Sequence, residues 1–193
     1  MDPVTLIPAM QAYLSEHVFW ALLVSAIEVY KKECYGLLLG YRGDGRFIVE
    51  NAIAVQKAER HATWVKAKED SFRKIISFFD NLPHLDLIGD FHSHPNALPT
   101  VSKEDVETMR PGDLAIIVEI RDWAKEQYWR YNEDGTLSGS TDDHFLKVAA
   151  FTRDHKGKVS PVEILCPFAI GFDIKGKAAP ESTKPSLNPK RKR

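Results

Sequence analysis

The stretch that most constrains this chain is residues 89–95, Gly-Asp-Phe-His-Ser-His-Pro, together with Ser102-Lys103-Glu104-Asp105 downstream. The apolar residues just before it predict a strand from His84 to Phe91. Because side chains alternate along a strand, His92 and His94 should point to one face, where two imidazoles can bind one metal ion. Asp105, from a following helix, can add a third ligand. The fourth position is then left for water, which is typical of catalytic rather than structural zinc sites.

Each part of this pattern also has a purely structural explanation. Two histidines spaced by one residue occur often by chance. Ser102-x-x-Asp105 has the form of a capping box, in which the serine caps a helix and the acid binds back. The combination, His-x-His followed after seven residues by Ser-x-x-Asp, is far more specific than either part. We therefore interpret it as a metal site in which Asp105 can both cap and ligate.

Glu33 stands at a second unusual position, between an amphipathic helix and the apolar run 34–41. A carboxylate directly before an apolar strand suggests a chemical use. The neighbouring Cys34 raises the alternative of a cysteine hydrolase. On a strand, however, Cys34 would face away from Glu33 towards the core, where cysteine behaves as a small hydrophobe.

Composition excludes few classes and favours an ordinary globular protein. The chain has 193 residues, 44% of them hydrophobic and 27% charged, with a net charge of −1. That balance gives no reason to expect a nucleic-acid or membrane partner. Two cysteines are too few for a disulfide framework, and the run Val18 to Val24 is too short to cross a bilayer. We expect a cytoplasmic protein.

Hydrophobic periodicity predicts the main elements. The predicted helices run from Ser15, as the cap, to Lys32, through residues 72–79 with Pro83 just beyond, and from Ser102 to Met109. The predicted strands cover residues 34–41 and 47–55 as a hairpin, residues 62–67, and residues 114–120, which we expect to pair with 127–131 as a second hairpin.

These elements predict a single α/β domain whose mostly antiparallel, curved sheet is flanked by helices. We expect residues 1–140 to form the core and residues 141–172 to form an extension packing on it, in which 145–151 is compatible with helix or strand. Residues 173–193 are rich in Lys, Pro and Ser and predict a flexible basic tail. That tail is either a solvated terminus or a contact for an acidic partner or nucleic acid.

The quoted residues resemble the JAMM metallopeptidases, the catalytically competent branch of the MPN domain, also called Mov34/MPN/PAD-1. That family has a glutamate before a Gly-Leu-Leu-x-Gly-like strand, then His-Ser/Thr-His-Pro, seven residues, and Ser-x-x-Asp, and every position is filled here. The resemblance spans roughly Ser15 to Gly135. It implies a cytidine-deaminase-like MPN fold and an active enzyme.

The resemblance implies a role for each matching residue. His92, His94 and Asp105 match the family's zinc ligands, one Zn²⁺ per chain, with water as the fourth ligand. Glu33 matches the glutamate that holds this water and acts as general base. Ser102 matches the serine that supports the oxyanion of the tetrahedral intermediate. No other cofactor is implied.

The resemblance also implies a substrate: peptide or isopeptide bonds after the C-terminus of ubiquitin or a ubiquitin-like protein, as in deubiquitinases. It allows a partner subunit or a homodimer. The alternatives are processing of a ubiquitin-like sulfur-carrier protein, or a non-catalytic interaction scaffold with a structural metal. Residues 56–70, with His61 and Trp64, are candidates for substrate specificity, although Trp64 is also compatible with core packing.

Ser93 and Pro95 match family positions that shape the turn.

Overall fold

A computed structural model of the protein describes residues 10–81, 84–123, 125–141 and 143–172. The strands in these ranges are β1 (Gln11–Leu14), β2 (Tyr35–Gly43), β3 (Arg46–Ala54), β4 (Ala58–Arg60), β5 (Val65–Ala67), β6 (Asp86–Pro95), β7 (Leu114–Asp122), β8 (Arg130–Tyr131), β9 (Leu137–Ser140), β10 (His144–Arg153) and β11 (Val159–Leu165). The helices are α1 (Glu16–Glu28), α2 (Glu69–Phe79), α3 (Lys103–Thr108) and α4 (Pro167–Phe172). No helix in these ranges has the length and apolar character needed to cross a membrane.

The main sheet of the described residues curves until it closes on itself. Its nine strands lie in the order β11-β1-β3-β2-β6-β7-β10-β9-β8, and β10 also pairs with β11, so that the first seven form a barrel-like ring. β1 pairs in parallel with β3 and β11, and β6 with β7, whereas the other pairings of this sheet are antiparallel. The mixed α/β class with a mostly antiparallel sheet is therefore confirmed. Closure into a ring was not predicted, and the finer cytidine-deaminase-like assignment stays a prediction.

Alternate residues of β2 belong to two different apolar layers, as strand geometry requires. Leu38 lies in the large cluster that α1 completes through Phe19 and Leu22, all of them buried. Leu37 and Leu39 lie in a second, smaller cluster that α2 covers from the outer side of the sheet. Each fully buried leucine or phenylalanine contributes about 1.5–3 kcal/mol through its removal from water, so these two layers hold the sheet between α1 and α2.

The N-terminus of α1 follows the prediction. The Ser15 hydroxyl accepts a hydrogen bond from the Val18 N–H at 3.3 Å, and α1 begins at the next residue, Glu16. The helix ends at Glu28, earlier than the predicted Lys32. The segment after it makes turns that lead directly to Glu33 and the start of β2.

A bulge in β6 sets which of its side chains face outwards. Leu38 of β2 pairs with Gly89 of β6, but the next residue, Leu39, pairs with Leu87. Ile88 is therefore the extra residue of the bulge. A Cβ at Gly89 would overlap the carbonyl group of Leu114 on β7, so this close approach requires glycine. As a result Leu87 packs with the outer cluster, while Ile88 belongs to the inner one.

Three segments differ from the sequence-based expectations or lie outside the description. The predicted hairpin of 114–120 with 127–131 is wrong: β8 pairs with β9 instead. β10 takes that edge of β7 over a long register, from His144 opposite Asp122 to Thr152 opposite Leu114. Residues 144–165 therefore supply two strands of the ring, with 145–151 in a strand. Pro83 and the tail 173–193 lie outside the described residues.

Candidate metal centre

The three predicted ligands meet in space. β6 carries both histidines on its outer face, with 3.0 Å between their Nε2 atoms. The Nε2 atom of His92 also lies 3.3 Å from Oδ1 of Asp105. One ligand atom from each of the three residues can be chosen so that all lie within 4.8 Å of one another. The Nδ1 atom of His94 lies 2.9 Å from the Leu98 carbonyl oxygen, a contact that orients the ring and leaves Nε2 for the centre.

Asp105 serves the helix and the centre with different atoms. Its backbone N–H donates to the Ser102 hydroxyl at 3.1 Å, and the Ser102 N–H donates to Oδ2 of Asp105 at 2.7 Å. This is the capping box that the sequence suggested. Since Oδ1 is the oxygen that faces His92, capping and ligation are compatible at Asp105.

Glu33 is held beside the ligands through the backbone around it. Its N–H donates to the His61 carbonyl at 2.8 Å, and the next N–H, of Cys34, donates to the Ser93 hydroxyl at 2.8 Å. The Ser93 N–H returns a bond of 3.3 Å to the Cys34 carbonyl. Glu33 is only 6% exposed and lines the same groove as His92. Ser93, between the two histidines, thus joins the start of β2 to the ligand strand.

Burial and neighbouring charges shift the protonation of this cluster. Burial raises the pKa of Glu33 to about 7, against the lowering effect of His92 and with smaller raising effects from Asp105 and Glu104. Burial also acts to raise the pKa of Asp105, but its hydrogen bond to His92 and the Ser102 cap hold it well below the usual range. Burial lowers the pKa of His94. For His92 burial acts in the same direction, but the bond and charge of Asp105 raise its pKa overall.

The donor set fits a divalent metal ion. Ligand bonds of about 2.0–2.2 Å in a tetrahedral arrangement place neighbouring donor atoms roughly 3.3–3.5 Å apart. The observed separations of 3.0 Å and 3.3 Å are close to that value before any adjustment of the side chains. Two imidazoles and one carboxylate suit zinc and other first-row metals. The geometry therefore supports the predicted ligand set.

A groove of about 810 Å³ runs from the three ligands along the outer face of the sheet. Its floor is formed by β2, β6 and β7, and its walls by α2, the segment 62–67 and the segment 104–113. Trp64 stacks on His61 at 3.9 Å between ring centroids and is 39% exposed. Trp64 therefore lines the groove, and its interpretation as a core residue is wrong.

Cys34 does not belong to this chemistry. It is 3% exposed and packs within the large inner cluster. Burial raises the pKa of its thiol to about 11, which opposes formation of the thiolate nucleophile. The cysteine-hydrolase alternative is not supported.

Several residues of the groove were not predicted from the sequence, and two of them, Asp90 and Ser93, show which signals were present and which were not. Asp90 lines the groove, and its spacing of two residues before His92 was a sufficient signal to place both on one face of β6. The hydrogen bond that Ser93 accepts from Cys34 joins residues far apart in sequence, and no local pattern marks it.

Comparison with known proteins identifies a family and solved structures of similar fold. Residues 15–132, more than half of the chain, match the family described as prokaryotic homologs of the JAB domain. The solution structure of protein DSY2949 from Desulfitobacterium hafniense is similar in fold, with a TM-score of 0.56 and 20% identity, over 81% of this chain and 92% of that one. Comparison with curated protein sequences gives no match. The family match covers Glu33, both histidines and Asp105 with the barrel strands between them, and the chain therefore belongs to the prokaryotic JAB-domain family.

Proposed function

We propose that this protein is a zinc-dependent hydrolase that cleaves peptide or isopeptide bonds after the C-terminus of ubiquitin or a ubiquitin-like protein. One observation carries the proposal: a buried carboxylate, Glu33, stands beside three converging ligand atoms at the head of a groove. A structural metal site needs no such carboxylate and no such groove.

His92, His94 and Asp105 would hold the metal, and two of them, His94 and Asp105, are already oriented by other contacts within the protein. Bound Zn²⁺ supplies Lewis acidity, which acidifies a water ligand and polarises a carbonyl group. The protein's contribution is positional, because His94 is oriented by the Leu98 carbonyl and Asp105 by the Ser102 N–H. These contacts lower the cost of arranging the ligands when the metal binds.

Glu33 is suited to accept and return a proton. Burial raises the pKa of Glu33 to about 7, and a bound cation beside it would lower that pKa, so Glu33 would stand as a carboxylate able to accept a proton. In the proposed reaction Glu33 takes a proton from the attacking water and later gives it to the leaving amine. Glu33→Gln keeps the shape of the side chain and removes this capacity.

Ser102 is suited to stabilise a developing oxyanion. Its oxygen already accepts the N–H of Asp105 at 3.1 Å, which fixes its position at the start of α3. Its own O–H is still able to donate, since a hydroxyl group is at once donor and acceptor. A donor of this kind is worth about 2.7–4 kcal/mol when it is aimed at the transition-state oxygen.

The groove favours an extended polypeptide over a small molecule. It is lined by apolar side chains such as Tyr35, Leu37 and Phe72 as well as by the site residues. An extended tail advances about 3.3 Å per residue, so several residues can lie along β6 from the metal centre. A ubiquitin-like C-terminal tail has this form.

The test is a cleavage assay with a panel of fusions that includes ubiquitin and ubiquitin-like sulfur carriers, each joined through its C-terminus to a reporter protein. The zinc-loaded protein should cleave at least one fusion after its terminal residue, as mass spectrometry of the products would show. Glu33→Gln should retain zinc and lose cleavage. Absence of cleavage across the panel, together with unfolding on chelation, would instead favour a scaffold with a structural metal.

A further inference from the structure

The floor of the groove carries a carboxylate that the proposed mechanism does not use. Asp90 lies on β6, opposite Leu37 of β2 and Ala115 of β7. It is largely buried and lines the groove together with those two apolar neighbours. A carboxylate in such a position costs free energy unless a partner compensates it.

Within the described ranges, no hydrogen bond or ion pair to the Asp90 carboxylate is formed. Of the other acids of the groove, Asp113 is bound by Arg42 at 2.5 Å and Asp105 belongs to the metal centre. Glu33 is the proposed base, and Glu104 is exposed at the start of α3 rather than on the floor. Arg110 and Lys66 also line the groove, and neither comes within the 4.0 Å of an ion pair with Asp90. The carboxylate is therefore available to a cation that enters the groove.

The position of Asp90 relative to the ligands fixes where such a cation would lie. Two residues separate Asp90 from His92, a spacing of roughly 6.7 Å along a strand. A substrate lying extended over the outer face of β6 covers that length in two residues. The groove extends from the ligands past Asp90 to Leu87 and Ile76, and the inference places the acyl part of the substrate on this side of the scissile bond.

We propose that Asp90 is a specificity-determining residue, which selects substrates with an arginine or lysine two to three residues before the scissile bond. The inference rests on the proposed function, because it assumes a polypeptide tail in the groove. The cationic head would pair with the Asp90 carboxylate, and its aliphatic stem would lie along the apolar lining of the groove. A charge-assisted bond in a partly buried groove is among the stronger polar contacts.

The first experiment measures selectivity. Acetylated hexapeptides that end in glycine and an aminocoumarin leaving group serve as substrates. They carry arginine, alanine or glutamate at the second, third or fourth position before the scissile bond. The zinc-loaded protein should prefer arginine over alanine at the second or third position by about ten- to a hundredfold in kcat/KM, with no such preference at the fourth. In Asp90→Asn this ratio should fall towards one, and in Asp90→Arg the glutamate peptide should become the better substrate.

Controls separate this effect from damage to the fold or the centre. Asp86→Asn removes the same charge from the same strand at an exposed position outside the groove and should keep the arginine preference. Zinc content and thermal unfolding are measured for every variant. Because each ratio compares two peptides on one variant, a general loss of activity cancels. Arg110→Ala removes a competing cation and should increase the preference.

The second experiment does not depend on cleavage. The zinc-loaded Glu33→Gln variant is titrated calorimetrically with the same peptides as free acids, with and without Asp90→Asn. Binding that favours arginine and is lost in Asp90→Asn supports the role of Asp90, even if the wild type cleaves nothing and the proposed function fails. The inference is overturned if cleavage or binding shows no preference for arginine, or if that preference survives Asp90→Asn. It is also overturned if none of the peptides binds.

Discussion

Replacing Ser93 by alanine removes the hydroxyl that joins the segment of Glu33 to the ligand strand. Ser93 is 0% exposed, and its oxygen accepts the Cys34 N–H at 2.8 Å. The variant leaves that buried N–H without its partner, at a cost of about 1–3 kcal/mol in the free energy of unfolding. For a chain of this size a loss of about 2 kcal/mol lowers Tm by about 4–8 °C. Since Glu33 directly precedes Cys34, kcat should fall as well, by about ten- to a hundredfold if Glu33 moves by about 1 Å.

Urea denaturation measures the change in the free energy of unfolding, and thermal unfolding measures the change in Tm. Cleavage of the best fusion measures the change in kcat. The urea midpoint should fall without a change in m-value, since the loss is local. Ser25→Ala is the matched control: Ser25 is a buried serine of α1 outside the site, and its truncation should change stability by no more than about 0.5 kcal/mol. Unfolding of Ser93→Ala at the wild-type midpoint would refute this role of Ser93. A loss of stability with an unchanged kcat would also refute it.

Three further predictions concern the core, the metal and the thiols. Gly89→Ala should cost at least about 3 kcal/mol, because its Cβ would overlap the backbone of β7, whereas Gly43→Ala, with its nearest atom at 3.5 Å, should cost less than about 1 kcal/mol in the same urea titration. Chelation should leave the circular dichroism spectrum intact and lower Tm by only a few degrees, because two apolar clusters hold the barrel without metal; unfolding on chelation would contradict this. Burial raises the pKa of both Cys34 and Cys166, so at about pH 8 the thiolate fraction is small and iodoacetamide should modify neither in the native protein but both in guanidinium, as mass spectrometry would show.

The ligand set was predictable because each piece of it is local. His92 and His94 share a face through strand periodicity, and Asp105 follows Ser102 at the spacing of a capping box. The start of α1 was predictable for the same reason, since Ser15 and the apolar stripe that follows it are adjacent in sequence. In each case a short-range rule determines the outcome.

The closure of the barrel was not predictable, because strand pairing is not local. β1 is only Gln11–Leu14, and it pairs with residues 46–49 on one side and 163–165 on the other. Alternation of apolar residues tells which face is buried and says nothing about which strand lies alongside. The failed hairpin of 127–131 has the same cause, since the edge of β7 was taken by the longer β10.

For Trp64 and Asp90, the sequence pattern did not predict the surroundings of the side chain in the folded protein. Trp64 was compatible with the core by composition, yet its hairpin places it over the site, where it stacks on His61. Asp90 was predictable in its orientation but not in its environment. Its two apolar neighbours come from β2 and β7, which are distant in sequence. Side-chain direction follows from local geometry, whereas burial and charge depend on the assembled fold.

The most direct test of the central claim is to measure metal content and cleavage together in the wild type, Glu33→Gln and Glu107→Gln. Glu107 is an exposed acid of α3 that faces Lys103, so its variant is a matched control for the loss of a carboxylate. The account predicts about one zinc per chain in all three proteins. Cleavage should fall by about a hundred- to ten-thousandfold in Glu33→Gln alone. Wild-type cleavage by Glu33→Gln, or full activity in a zinc-free preparation, would contradict it.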